Sequence, residues 1–260
     1  MNILNDIITN LKQDYSDIKI INKLDNANCN LVYLLEIDNN KYVLKIALNS
    51  NRKNELKKEY EIMNNIKGYI NVPKMYKYIE KEDYSYILMG YIDGINLIDL
   101  LKEDKNKEQI IFDLGKLLKR INNFKIDDTK EPLYYLNIEL DNAYNNMSNN
   151  LLDKEEFVIN DKEIDSKKLL NKLKYNIPNN INTNFLHGDF RPKNIIYKNN
   201  KYYVIDFGLS HIGDFYYDLA IILYYFNGSE RKMFLDGYGL DRIDVSKLQY
   251  YDYLSKYLNV

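Results

Sequence analysis

The stretch Phe185-Leu-His-Gly-Asp-Phe-Arg-Pro-Lys-Asn194-Ile-Ile-Tyr-Lys-Asn-Asn-Lys-Tyr-Tyr-Val-Ile-Asp206-Phe207, followed by Gly208, decides the fold. Its second half reads as a hairpin. Ile195 to Tyr197 form one apolar strand, Lys198 to Lys201 a polar turn centred on Asn199-Asn200, and Tyr202 to Ile205 the return strand. β-Branched and aromatic runs on either side of an Asn pair are a hairpin signal. A hairpin brings its two ends to one place, so Asn194 and Asp206 are expected side by side, with Asp189 on the loop that leads in.

Two carboxylates and an amide offer only oxygen ligands. That suits Mg²⁺, which takes one or two carboxylates and completes its shell with water and substrate phosphates. The order also follows the phosphoryl-transfer pattern: a loop Asp that accepts the hydroxyl proton, an Asn soon after it on the metal, and a metal-binding Asp before Phe-Gly. Any one of these residues could be ordinary turn chemistry in so Asn-rich a chain. The ordered set His187-Gly188-Asp189, Asn194 and Ile205-Asp206-Phe207-Gly208 is far more specific.

On these residues, together with Ile212-Gly-Asp-Phe-Tyr-Tyr-Asp-Leu-Ala220, the chain resembles the aminoglycoside phosphotransferase family, whose relatives include choline kinases and other small-molecule kinases. The resemblance implies an α+β, bilobal protein-kinase-like fold. Its N-terminal lobe would be a five-stranded antiparallel sheet with a helix. Its C-terminal lobe would be mainly helical, with a catalytic hairpin. The expected boundaries are residues 1–90 for the nucleotide-binding lobe and 91–260 for the catalytic and substrate-binding lobe. The implied activity moves the γ-phosphate of ATP or GTP, with Mg²⁺, to a hydroxyl of a small molecule.

Composition agrees with a soluble globular protein. A chain of 260 residues, 45% of them hydrophobic, can build one large domain or two lobes. The net charge of −2 argues against a nucleic-acid partner, which calls for a basic face. The single Cys29 excludes an internal disulfide, and one Cys with two His makes a Cys/His zinc site improbable. The start of the chain lacks the pattern of a signal peptide. The apolar run Leu219 to Phe226 is far shorter than the ~20 residues that span a bilayer. No membrane partner and a cytoplasmic location are therefore expected.

Outward from the hairpin, helical spacing of Ile3, Leu4, Ile7, Ile8 and Leu11 predicts a first helix. Strands are predicted at 18–24, 31–37, 41–47, 73–79 and 84–89. Asp25 to Asn30 stands where the family has a phosphate loop, but it has no glycine; a plain hairpin turn fits it as well. Alternation sends Lys45 to the face opposite Leu44 and Ile46. A strand Lys is commonly a solvated edge residue, whereas Val43-Leu-Lys-Ile46 resembles the strand whose lysine meets the α- and β-phosphates. In the helix predicted over 51–67, Glu55 and Glu59 are both candidate partners for Lys45; the run Glu59-x-x-Ile62-Met63-x-x-Ile66, on to Val72-Pro73, resembles the family's helix and so implies Glu59. Met89-Gly-Tyr-Ile-Asp-Gly94 resembles the hinge, which implies that Gly90, Tyr91 and Ile92 meet the purine through their backbone; an ordinary strand exit is the alternative.

A strong apolar stripe from Ile110 to Ile121 predicts a long helix that ends at Ile121-Asn122, where the family has Leu-His. Two amphipathic segments are predicted at 138–152 and 161–175. Their neighbouring carboxylates, Glu155, Glu156 and Asp161, could meet a polyamine, though solvated helix faces account for them better. Asp214 and Asp218 are candidate caps for an apolar helix at 219–226, and the resemblance gives Asp218 the further task of bracing the loop of Asp189. Arg191 could pair with that aspartate or bind phosphate or acceptor. Two other functions remain open: a choline-, homoserine- or sugar-type kinase, and a nucleotide-binding pseudokinase that acts as an interaction module.

Overall fold

The computed structural model describes residues 3–24, 30–103, 106–128, 130–159 and 162–258. Asp161 and all of the Asp25–Asn30 loop but Asn30 lie outside them. The chain forms two compact units. One holds the residues up to Leu100 together with Lys193–Leu209; the other holds Leu101–Pro192 and Ser210 onward.

The first unit begins with α1 (Ile3–Leu11), β1 (Ile18–Lys23), β2 (Leu31–Ile37), β3 (Asn40–Ala47), α2 (Ser50–Ile66), β4 (Met75–Glu80) and β5 (Ser85–Gly90). The five strands make one antiparallel sheet in the order β1-β2-β3-β5-β4. The turn between β2 and β3 has Asp38 and Asn39 at φ of 48° and 64°, the left-handed pair that a two-residue hairpin of the right twist demands. One sheet face is apolar. Leu35, Ile37, Leu44, Ile46, Tyr86 and Leu88 pack with Ile7 and Leu11 of α1. Tyr86 carries its hydroxyl to Asn10 Oδ1 at 2.6 Å, so burying the ring leaves no polar atom stranded. Helix α2 starts at Asn49, whose side chain accepts the Arg52 amide, and buries the stripe Leu56, Glu59, Ile62, Met63 and Ile66. A glutamate within that stripe needs a partner.

Further elements are β6 (Ile95–Asn96), α3 (Leu97–Glu103), α4 (Lys107–Asn122), α5 (Pro132–Ser148), β7 (Val158–Ile159), β8 (Lys162–Glu163), α6 (Ser166–Tyr175), β9 (Asn184–Leu186), β10 (Ile195–Lys198), β11 (Lys201–Val204), β12 (His211–Gly213), α7 (Tyr216–Leu223), α8 (Gly228–Tyr238) and α9 (Val245–Leu258). Strands β10 and β11 pair around Asn199 and Asn200, both left-handed at φ of 49° and 58°, and β6 extends the pair to three strands. This hairpin belongs to the first unit, where the Val204 amide bonds to the Asn71 carbonyl.

Helices dominate the second unit. Helices α4 and α8 meet where both lack side chains: a Cβ on Gly115 would overlap the Phe234 carbonyl, and one on Gly237 the Phe112 carbonyl. Helices α5, α6 and α7 start elsewhere than expected. Helix α6 begins at Ser166 rather than Asp161, with Asp165 capping it by accepting the Lys168 amide at 3.0 Å. Helix α5 begins at Pro132 rather than Ile138, because proline at the first helical position costs no hydrogen bond. Helix α7 begins at Tyr216, not Leu219, so Asp218 lies inside it and cannot cap it. Asp214 Oδ1 instead accepts the Tyr216 amide at 3.2 Å. Among the described residues, no helix is long and apolar enough to cross a membrane.

Candidate active site

In the first unit the sheet and α2 enclose a charge cluster. Lys45 sits mid-strand between Val32 of β2 and Ile87 of β5. Its neighbours Leu44 and Ile46 face the α1 side, so Lys45 faces the other way. It is 8% exposed, and the solvated-edge alternative is excluded. Its Nζ lies 2.7 Å from Glu59 Oε2 and 2.8 Å from Asp206 Oδ1. Glu59, 1% exposed, is thus the buried polar member of the α2 stripe that required a partner. Glu55, one turn earlier, pairs with Arg52 at 2.8 Å instead.

Electrostatics follow from this sharing. Burial opposes the charge on Lys45, but Asp206 and Glu59 outweigh it and raise its pKa, so the ammonium persists. Glu59 is pushed up to about 7 by burial and by the Asp206 charge, against the pull of Lys45. Removing one partner from such a buried pair typically costs ~3–5 kcal/mol, because the other charge is stranded.

The hairpin brings Asn194 and Asp206 together. The Ile205 amide donates to the Asn194 carbonyl at 3.0 Å, one residue short of Asp206. Asp206 has φ of +68°, a left-handed geometry that Asp tolerates better than most side chains. Asn194 is buried, whereas the Asp206 side chain is 45% exposed. Among the described residues no three His, Cys, Asp or Glu side chains cluster to hold a metal by themselves. A half-exposed carboxylate next to an Asn fits Mg²⁺, which leaves much of its shell to substrate. Gly208 follows because a Cβ there would press on Glu55 Cβ at 3.3 Å.

At the end of β5 the three residues expected to meet the purine are not equivalent. The Gly90 amide donates to the Lys74 carbonyl at 2.9 Å and the Tyr91 amide to the Lys41 carbonyl at 3.2 Å. The Ile92 carbonyl accepts the Gly94 amide at 3.0 Å.

In the second unit, Asp189 lies on a loop fixed from beneath. Asp218, wholly buried, accepts the His187 amide at 2.9 Å and the Gly188 amide at 3.0 Å. Burial raises the Asp218 pKa, while His187 and these amides pull it back. The Asp189 amide donates to His187 Nδ1 at 3.2 Å, so this histidine serves the loop backbone. Gly188 turns the loop at φ of +82°, which is strained for any side chain. Arg191 Nε is in ion-pair contact with Asp189 Oδ1.

Asn122, where the chain departs from the pattern it resembles, has the structural role which that departure suggests, and it is buried. It donates to Asp218 Oδ2 at 3.0 Å and to the Phe185 carbonyl at 2.9 Å, and accepts from the Tyr238 hydroxyl at 3.0 Å. The signal available in the sequence was a polar residue closing an apolar helical stripe. Asn122→Ala is expected to cost about 1–3 kcal/mol by leaving Asp218 short of a donor. Urea titration checks this, and an unchanged midpoint would show the network to be dispensable.

A family signature described as "Phosphotransferase enzyme family" matches residues 21–251. An aminoglycoside 3'-phosphotransferase of Escherichia coli is 26% identical over 212 residues, covering 78% of this chain and 77% of that protein. One from Salmonella typhimurium is 26% identical over 205 residues, covering 76% and 74%. Among solved structures, aminoglycoside-3'-phosphotransferase of type VIII superposes with a TM-score of 0.73 at 18% identity, over 99% of this chain and 100% of that one. An aminoglycoside phosphotransferase of Streptomyces rimosus, in complex with ADP and streptomycin, gives 0.72 at 17% identity over 99% of each chain. These structural likenesses show the shared fold. With the signature spanning most of its length, the chain belongs to the phosphotransferase enzyme family.

Proposed function

We propose that this chain transfers the γ-phosphate of ATP, or of GTP, to a hydroxyl of a small molecule, as an aminoglycoside-phosphotransferase-type kinase in the cytoplasm. The observation that carries the reading is the buried Lys45 shared between Glu59 and Asp206. An ammonium kept out of water and aimed by two carboxylates suits phosphate oxygens. A structural ion pair would have no need of a third, half-exposed carboxylate.

In this proposal residues 1–90, joined by Ile92, Asn194 and Asp206, bind the nucleotide and its metal, and the rest of residues 91–260 carry the catalytic and acceptor-binding machinery. Glu59 holds Lys45 in place for the α- and β-phosphates. At the hinge the amides of Gly90 and Tyr91 are spent on Lys74 and Lys41, which leaves the Ile92 N–H to meet the purine edge. Asn194 and Asp206 would hold Mg²⁺, which when bound supplies positive charge to the phosphate oxygens. Asp189 orients the acceptor hydroxyl and takes its proton. Because the transition state is loose, orientation and electrostatics count for more than basicity. The Streptomyces rimosus relative bound to ADP and streptomycin supports a nucleotide donor and a small-molecule acceptor by analogy.

The test is a Mg-nucleotide turnover assay, with ATP and GTP in parallel, across aminoglycosides and small alcohols. Phosphorylated product is the expected result. Product only with metabolite alcohols would favour a choline-, homoserine- or sugar-type kinase. Nucleotide binding with no turnover on any acceptor would favour an interaction module and overturn the proposal.

A further inference from the structure

We propose that Arg191 selects the acceptor by charge: it neutralises the Asp189 carboxylate, so the site takes a neutral or anionic hydroxyl compound in preference to a polycation. The inference rests on the reading above that Asp189 meets the acceptor hydroxyl.

The second unit supplies the observations. Arg191 is permanently charged, and its Nε contacts Asp189 Oδ1. Tyr225, two residues past the end of α7, lies close enough for the Arg191 charge to oppose the rise that burial gives its hydroxyl pKa. The carboxylates around Tyr217 are each engaged as well. Burial, with Glu139, Asp189 and Asp218 close by, keeps the Tyr217 hydroxyl protonated, which marks these three as its neighbours. Glu139 Oε1 takes the His211 ring at 3.2 Å. Asp218 is spent on two backbone amides and Asn122. Asp214, on the same small cavity as Tyr217, is held by Lys247 at 2.7 Å and by the Asn182 amide at 3.0 Å.

A polycationic acceptor is held by carboxylates whose charge is in surplus. Here every carboxylate of the group already has a donor of its own, and a fixed cation stands on the one nearest the chemistry. Bringing several ammonium groups to Asp189 brings them to the Arg191 guanidinium as well. An uncharged or anionic hydroxyl compound meets no such repulsion.

The experiment compares the full chain with Arg191→Gln and Arg191→Lys, in the presence of Mg-nucleotide. Binding of gentamicin (polycation) and of a neutral methyl glycoside is measured by calorimetry, and phosphate transfer is followed in the same samples. Thermal melting confirms that each variant is folded, and Arg191→Lys controls for loss of the contact without loss of charge. Arg191→Gln is expected to tighten gentamicin by about tenfold or more at low ionic strength, with the gain erased by high salt and no gain for the neutral glycoside. Arg191→Lys should stay near the parent. An unchanged gentamicin affinity, or an equal gain for both ligands, overturns the role of Arg191 and leaves the phosphotransferase reading standing. Absence of transfer to any acceptor overturns that reading and the inference with it.

Discussion

Asp189→Asn is expected to lower kcat by at least ~10²-fold while nucleotide affinity stays close to that of the parent protein. The amide keeps the size of the side chain but cannot take a proton, and it presents a donor where the hydroxyl needs an acceptor. General-base contributions run from ~10² to ~10⁴, and a loose transition state, with little proton transfer achieved, puts this one towards the lower end. Nucleotide affinity is spared because the residues proposed for the nucleotide, Lys45, Glu59, Asn194 and Asp206, all belong to the other unit. Steady-state kinetics with nucleotide binding measured separately decide the matter. Full activity in the variant would remove Asp189 from the mechanism, and a parallel loss of nucleotide binding would mean the substitution had disturbed the loop.

The second large effect concerns Asp206. Asp206→Ala is expected to abolish Mg²⁺-dependent nucleotide binding in calorimetry. The fold should survive, since Lys45 keeps Glu59 at 2.7 Å and the lost side chain is half-exposed. Alanine at φ of +68° carries a backbone cost of ~1–2 kcal/mol that aspartate largely avoids. Asp206→Asn is therefore the companion variant, since asparagine tolerates the same backbone. Both variants should lose the Mg²⁺ dependence and melt lower, because each takes a counter-charge from Lys45, with alanine losing more through its added backbone cost. Unchanged Mg-nucleotide binding in both would sink the metal assignment.

Much of the first unit could be read from residues alone. The Asn199-Asn200 pair announces a left-handed turn, and strand alternation puts Lys45 on the face away from Leu44 and Ile46. The choice of Glu59 over Glu55 needed the family resemblance as well, and the structure pairs Glu59 with Lys45 and Glu55 with Arg52. What sequence reading missed has physical reasons. Strands β6, β7, β8, β9 and β12 are two or three residues long, too short for any periodicity, and β6 and β9 find their partners far along the chain. Helix α7 is buried on every side, so it shows no amphipathic edge from which to place its start. Asn122 reads in the sequence as a structural departure from the family pattern, without its partners. Its importance lies in three hydrogen bonds to groups that come from distant parts of the chain. Arg191 stands two residues from Asp189, a spacing that allows a contact but does not impose one.

The hairpin Lys193–Leu209 belongs with the sheet, although more than ninety residues of the other unit separate them in sequence. On a ribosome the sheet therefore waits. Lys45 and Glu59 are made early, yet the third member of their charge cluster and the strands that carry it emerge only after Leu209 has been synthesised. A nascent chain stalled before that point would hold a buried ammonium with half its counter-charge, and the two units would have to mature together rather than one after the other.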